Sequence, residues 1–410
     1  MKPFESTLLP SNKENIKNQT LKKHLHKKKI INILYKEGQK SNKQISKYIN
    51  LSPPTITRLL NDLIREGLVL NLGIGDSFGG RKPNIYGINP DSRYILGIDI
   101  GRNIRRFALL NFHNEFVTKL VCIPGNLENN PETVNQIYQQ SLKIIKEAGI
   151  DYNKIIGVGI GLPGLINTRT GRSYGHLNYN GKSVSQLFEE KFNLPVFTEN
   201  NSNLMALGEH TFGLAKGKEN VLCLTLSSGV GMGLILNGKL YSGKSGFAGE
   251  FGHINIEEKN GLLCKCGKKG CLETMTSEKA LVRMAKEGLE NGCISMITDI
   301  INNKFENITP EVILKAAEKE DHFAIDILSK VGHYLGKGIA ILIHLYNPEM
   351  IIIGGEMAKA GQYLTDSIKQ TLNKRTISLI RQDTKIVTSE LGKKTGVLGA
   401  TSLVMHRILQ

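Results

Sequence analysis

The chain has 410 residues, 40% of them hydrophobic, with 43 glycines and a formal net charge of +16. That length allows two or three domains with a sizeable core, and the glycine content suits an α/β protein rich in strand–loop–helix junctions. No apolar run is long enough to span a membrane, the longest (338–346) being broken by His344, and the polar first twenty residues, with no apolar stretch, are not expected to act as an export signal.

The charge is uneven. Residues 1–90 carry 16 Lys/Arg against 6 Asp/Glu, ten of the sixteen excess positive charges. This end is suited to a polyanion, nucleic acid before membrane surface, although a solvated tail has the same signature. Residues 1–22 are polar and without periodicity, a basic tail expected to be mobile. Residues 24–37 place Ile30, Ile31, Ile33 and Leu34 on one helical stripe, ended by Gly38. Ser41-Asn42-Lys43-Gln44 has capping-box form and opens a short helix through Ile45, Tyr48 and Ile49. After the turn Asn50-Leu51-Ser52, Pro53 starts a third helix running to Gly67. Two short helices joined in this way predict a helix-turn-helix.

Ser52, Thr55, Thr57 and Arg58 fall at the start of that third helix and are candidates for contact with bases and phosphates. Two strands, 68–72 and 84–88, would make a wing tipped by Gly79-Gly80-Arg81-Lys82, so Arg81 and Lys82 join the DNA-binding candidates. From Tyr94 the pattern becomes α/β. Strands at 94–101, 106–112 and 155–162 and a helix at 131–148 are followed by further strands at 221–225 and 231–236. Two α/β halves with a cleft between them are expected. Gly159-Ile160-Gly161-Leu162-Pro163-Gly164 fits the spacing of a dinucleotide fingerprint. Pro163 and the polar turn at 167–171 leave no helix to open there, and that reading is rejected. Helices at 323–345 and 396–408 could serve an interface or simply the core.

Chemistry concentrates in Gly246-Phe247-Ala248-Gly249-Glu250-Phe251-Gly252-His253 and Cys264-Lys265-Cys266-Gly267-Lys268-Lys269-Gly270-Cys271-Leu272-Glu273. One histidine and three cysteines are the ligand set of a closed tetrahedral zinc site. An odd cysteine cluster makes a poor disulfide framework, and free thiols agree with a reducing cytoplasm. The two segments resemble the G-x-x-G-x-A-G-E-x-G-H and C-x-C-G-x-x-G-C-x-E motifs of the ROK family (repressors, open reading frames and kinases). The chain is most similar there to the family's winged-helix, sugar-responsive repressors. Gly79-Gly80-Arg81-Lys82-Pro83, Gly161-Leu162-Pro163-Gly164, Thr198-Glu199-Asn200-Asn201 with Ala206-Leu207-Gly208-Glu209, and Gly354-Gly355 extend the resemblance over residues 24–405.

The resemblance implies a winged helix-turn-helix (23–90) followed by an actin-like, sugar-kinase-type pair of α/β lobes. These would span 91–205, joined by 395–410, and 206–394. It makes His253, Cys264, Cys266 and Cys271 the ligands of a structural Zn2+. It makes Gly164, Asn200, Asn201, Glu250, His253 and Glu273 the sugar-binding set, with Asn178 and Arg102 as further candidates. Family kinases carry an Asp base after the Asn, where this chain has Asn201. An amide cannot take the proton from a sugar hydroxyl, a loss of about two to four orders of magnitude in rate. The first phosphate loop is also altered, to Asp99-Ile100-Gly101-Arg102-Asn103, whereas Ser227–Gly233 and Gly354-Gly355 are retained. No ATP use is expected, with a sugar kinase as the alternative. The implied function is a cytoplasmic repressor, at the nucleoid when operator-bound. Its implied partners are double-stranded DNA and a sugar or sugar phosphate, with no membrane, as a homodimer or homotetramer. Cys266→Ser should then cost zinc and sugar response together, while the isolated head keeps its fold.

Overall fold

A computed structural model describes residues 18–75 and 82–409. Arg81 and most of the expected tail, residues 1–17, lie outside the described residues. The head comprises α1 (Asn18–Glu37), β1 (Lys40–Ser41), α2 (Asn42–Ile49), α3 (Pro53–Arg65), β2 (Val69–Ile74) and β3 (Asn84–Ile88). The capping box at α2 is reciprocal: Gln44 N donates to Ser41 Oγ and Ser41 N to Gln44 Oε1. Asn50 turns the chain in the left-handed conformation, and Pro53 occupies the first helical position of α3, where its missing N–H costs nothing. The wing strands pair antiparallel, Val69 opposite Ile88, and β1 adds a third strand alongside β3.

The helix α1 begins at Asn18, so residues 18–22, expected in the tail, are helical. Ion pairs across to α3 hold it: Lys23 meets Asp62 at 2.6 Å, and the buried Lys27 meets Glu66.

The first lobe follows with β4 (Tyr94–Ile100), β5 (Ile104–Asn111), β6 (Val121–Pro124), α4 (Pro131–Glu147), β7 (Ile155–Leu162), β8 (Ile166–Asn167), β9 (Arg172–Ser173), α5 (Val184–Phe192) and β10 (Val196–Asn200). Its sheet runs β10-β7-β4-β5-β6, with β4 parallel to β7 and antiparallel to β5. Both β4 and β7 are buried along their whole length, as unbroken apolar runs require.

The rest of the chain is α6 (Asn201–Phe212), β11 (Val221–Leu226), β12 (Val230–Leu236), β13 (Lys239–Leu240), α7 (Glu273–Thr276), α8 (Glu278–Glu290), α9 (Met296–Ile300), α10 (Pro310–Glu318), α11 (His322–Tyr346), β14 (Met350–Gly354), α12 (Gln362–Arg375), α13 (Ser378–Asp383), β15 (Lys385–Thr388) and α14 (Thr395–Leu409). The second sheet has the order β13-β12-β11-β14-β15, with β11, β14 and β15 parallel.

Two compact units emerge. One holds residues 1–164, 170–199 and 400–410, the other 165–169 and 200–399. Helix α6 lies wholly in the second unit, where it packs across β11 and β12. The head is not closed on itself. Its core of Ile30, Ile31, Ile45, Ile56, Leu60 and Leu63 is continuous with Ile95, Phe112 and Ile156 of the first lobe and with Val404, Met405, Ile408 and Leu409 of α14. Tyr35 donates to Asn114 Oδ1 at 2.7 Å and lies against Phe112.

Candidate metal centre and DNA-binding head

The loop that carries the metal-ligand candidates lies directly on β12. Gly249 has φ +92°, and a Cβ there would stand 2.0 Å from the Met232 carbonyl oxygen, so no other residue fits. Met232 N donates to Gly249 O, and the chain then enters the turn 251–253 that presents His253. An isolated bridge pairs Asn255 with Cys271, and another pairs Leu263 with Lys269, folding the cysteine loop back onto that turn.

As a result the ligand atoms of His253, Cys264, Cys266 and Cys271 all lie within 4.8 Å of one another. His253 Nδ1 is 3.6 Å from Cys264 Sγ, and Cys266 Sγ is 3.6 Å from Cys271 Sγ. A tetrahedron with Zn–S about 2.3 Å and Zn–N about 2.0–2.1 Å has edges of about 3.5–3.8 Å. The donor set and its spacing therefore fit a metal ion. All six cysteines are free, and Cys264 and Cys271 are buried. Burial pushes the Cys264 thiol up to about 12 and raises Cys271. The backbone N–H of Lys268 draws Cys266 down.

The two carboxylates flank this cluster. Glu273 is buried at the start of α7, with Oε1 3.1 Å from Cys264 Sγ and 3.8 Å from His253 Nδ1, and with Lys265 Nζ 3.3 Å from its other oxygen. Glu250 is exposed, 3.8 Å from His253 Nε2. The two nitrogens of His253 thus face different groups, Nδ1 the thiols and Nε2 Glu250. Asn200 ends β10 and caps α6, its side chain accepting from Ser202 N at 2.7 Å, and Asn201 is the first residue of that helix. Gly164, at φ +90°, belongs to the first unit, as do Asn178 and Arg102.

The first phosphate-type loop is a tight hairpin between β4 and β5, with Gly101 N donating to Ile104 O. Asp99 is buried and bonded to Arg106 at 3.1 Å; burial raises its pKa against the pull of that guanidinium. The retained glycine turns, 227–233 and Gly354-Gly355, begin where the neighbouring parallel strands β11 and β14 end, at the carboxyl edge of the second sheet. Sequence reasoning missed what faces that edge. Glu278 N donates to Ser227 O, and burial, with Glu356 and Glu311 nearby, pushes the Glu278 carboxyl up to about 7 against Lys359.

In the head, α3 buries Ile56, Leu59, Leu60 and Leu63, and turns Pro54, Thr57, Arg58, Asn61 and Arg65 outward. Ser52 is the N-cap, its hydroxyl 2.9 Å from that of Thr55. Thr57 donates to Pro53 O and accepts from Asn42, which locks α2 to α3. Arg58 is exposed, as is Lys82. Asn61 lies on the same exposed face, one turn beyond Thr57 and Arg58 and outside the first turn that carries the sequence candidates.

Residues 95–407 match the ROK family, and residues 24–69 match the family described as winged helix-turn-helix DNA-binding. The chain belongs to the ROK family. Among ROK relatives, the xylose repressor of Caldicellulosiruptor bescii is 31% identical over 398 residues, 96% of this chain and 98% of the relative. A glucokinase of Halalkalibacterium halodurans is 34% identical over 318 residues, covering 77% of this chain and 96% of its own length. The crystal structure of a ROK family transcriptional regulator, a homolog of the E. coli MLC protein, superposes with TM-score 0.81 at 27% identity, covering 94% of this chain and 96% of that one. The glucokinase match covers about three quarters of this chain, whereas the matches to the two regulators cover nearly all of it. Among the described residues no helix is long and apolar enough to cross a membrane.

Proposed function

We propose that this ROK protein is a sugar-responsive transcriptional repressor. It binds operator DNA through its head and releases it when a sugar or sugar phosphate occupies the ROK domain. The observation that carries this reading is the union, in one chain, of a winged helix-turn-helix with a ROK domain that has Asn201 where proton abstraction needs a base. Similarity to a xylose repressor along nearly the whole chain supports it. Ser52, Thr55, Arg58, Arg81 and Lys82 are the proposed DNA contacts, with Thr57 setting the angle between α2 and α3.

Gly164, Asn200, Asn201, Glu250, His253 and Glu273 form the proposed sugar-binding set. Carboxylates and amides suit vicinal hydroxyls because they can accept or donate in pairs. Zinc is the proposed metal, held by His253 Nδ1 and the three thiolates. Four protein ligands leave no position for water, so it would stiffen the loop that presents Glu250 and Glu273. A symmetric operator implies a homodimer or homotetramer. The proposed location is the bacterial cytoplasm, at the nucleoid when operator-bound, and DNA as partner and six free thiols support it.

The kinase reading is favoured by the glucokinase relative and by the retained glycine turns 227–233 and Gly354-Gly355. Against it stand Asn201, the bulky Arg102-Asn103 loop, and Glu278, Glu311 and Glu356, whose carboxylates would oppose a polyphosphate. An anisotropy titration of operator DNA with pentoses, hexoses, N-acetylhexosamines and their phosphates decides the matter. One of them should weaken operator binding by about 5–150-fold. ATP turnover at kinase rates that vanishes in Asn201→Ala, with no sugar altering DNA affinity, would overturn the repressor.

A further inference from the structure

Helices α11 and α12 pack closely because Gly332 and Gly336 put no side chain between them. A Cβ at 332 would stand 2.8 Å from the Leu364 carbonyl oxygen, and one at 336 would stand 2.7 Å from Thr371 Cβ. Beside that crossing runs a groove of about 310 Å³, lined by His333, Ser367, Gln370, Thr371, Lys374 and Arg375. Its hydroxyls are committed to the backbone. Ser367 Oγ donates to Ser329 O at 2.6 Å, and Thr371 Oγ1 donates to Ser367 O at 2.9 Å. With its one proton so placed, Thr371 Oγ1 can only accept from His333 Nδ1, 3.1 Å away. Neutral His333 therefore carries its proton on Nδ1, and Nε2 is left as a lone pair.

Every charge acting on His333 is positive. Burial lowers its pKa most, and then Lys337, Arg375 and Lys374 lower it further. The nearby carboxylates are engaged elsewhere, Asp366 with Lys369 at 3.4 Å and Glu257 with the Tyr334 hydroxyl. Lys374 and Arg375 sit in the last turn of α12, where the helix dipole welcomes cations. That accounts for two of the charges but not for Lys337, in the middle of α11 with its ammonium 4.6 Å from the centre of the Tyr334 ring.

We propose that this groove binds a small phosphate-bearing anion, held by Lys374, Arg375 and His333 with the Gln370 amide at its edge. The volume suits a phosphate ester of sugar size. The anion recruits His333 Nε2 as a donor, so binding takes up a proton and strengthens as pH falls through the histidine's pKa. The site is independent of the metal loop and of the repressor reading.

The test is calorimetry on the full chain, with the His333 ring followed by NMR, using inorganic phosphate, a hexose 6-phosphate and the neutral hexose. Both phosphates should bind and raise the pKa of His333, whereas the neutral hexose should leave that ring unmoved. Tighter binding of the hexose 6-phosphate identifies a phosphate ester as ligand, and equal affinities identify free phosphate. Lys374→Ala and Arg375→Ala, both at exposed positions, should each weaken binding about tenfold or more at unchanged melting temperature. A double variant that binds phosphate as the wild type does, or a His333 ring blind to both phosphates, would overturn the site.

Discussion

Cys266 is the exposed member of the His253/Cys264/Cys266/Cys271 cluster, so replacing it removes a potential metal donor without opening a cavity. In Cys266→Ser, metal affinity should fall by more than the roughly 10–100-fold that altering an outer-shell partner costs. Metal content after dialysis and the response to the sugar inducer measure this together. A full complement of metal would mean that Glu273, 3.1 Å from Cys264 Sγ, can replace the thiolate. Glu278 gives a pH signature. Its folded pKa of about 7 exceeds the ordinary 4.5, so the folded state binds this proton more tightly than the unfolded chain. The stabilisation is complete below about 4.5 and is lost as pH rises through 7. Glu278→Gln is therefore expected to stabilise the protein at pH 8 by about 1 kcal/mol, after allowance for solvent screening, and to change nothing at pH 4. Melting curves at the two pH values check it. The ligand cluster was legible because its members are close in sequence. The acidic edge was not, because Glu278, Glu311 and Glu356 come together only through the sheet.

At the scale of the element, α14 matters most. Its first turn packs on α6 in the second unit, where a Cβ on Gly399 would meet the Leu204 carbonyl oxygen at 1.8 Å. Its later turns bury Val404, Met405, Ile408 and Leu409 in the core shared with the head. Ile408→Ala should cost about 2–5 kcal/mol and loosen the head with it. Denaturant melts of the full chain, read on head amides by hydrogen exchange, measure this. Against the expectation from sequence that the isolated head keeps its fold, the shared core predicts that it does not. Residues 18–90 alone would expose that core face, and no cooperative transition is expected of them. A sharp melt of that fragment at the full-length temperature would show the head to be self-sufficient. Local elements such as the Ser41–Gln44 capping box could be read from sequence because their partners lie three residues apart.

For the molecule as a whole, the concentration of positive charge in residues 1–90 predicts DNA binding that weakens steeply with salt. Arg58→Ala should lower operator affinity and reduce the slope of log K against log salt by about 1. Asn61→Ala should instead change which operator bases are preferred, at about 1–3 kcal/mol for a lost base contact, with the slope unchanged. Anisotropy titrations at several salt concentrations, with operator variants, separate the two. An unaltered slope in Arg58→Ala would take that residue off the phosphate backbone.

By itself the sequence determined the helix-turn-helix, the α/β lobes and the His/Cys cluster that could hold a metal, all written in short-range spacing and in runs of apolar residues. It also carried the substitution at Asn201 that argues against phosphoryl transfer. Only the tertiary structure decided that the head shares its core with the C-terminal helix, that Thr57 works between helices, that carboxylates gather where β11 and β14 end, and that cations line the groove of α11 and α12. Each of these depends on residues far apart in the chain meeting in space, and no local pattern encodes such a meeting.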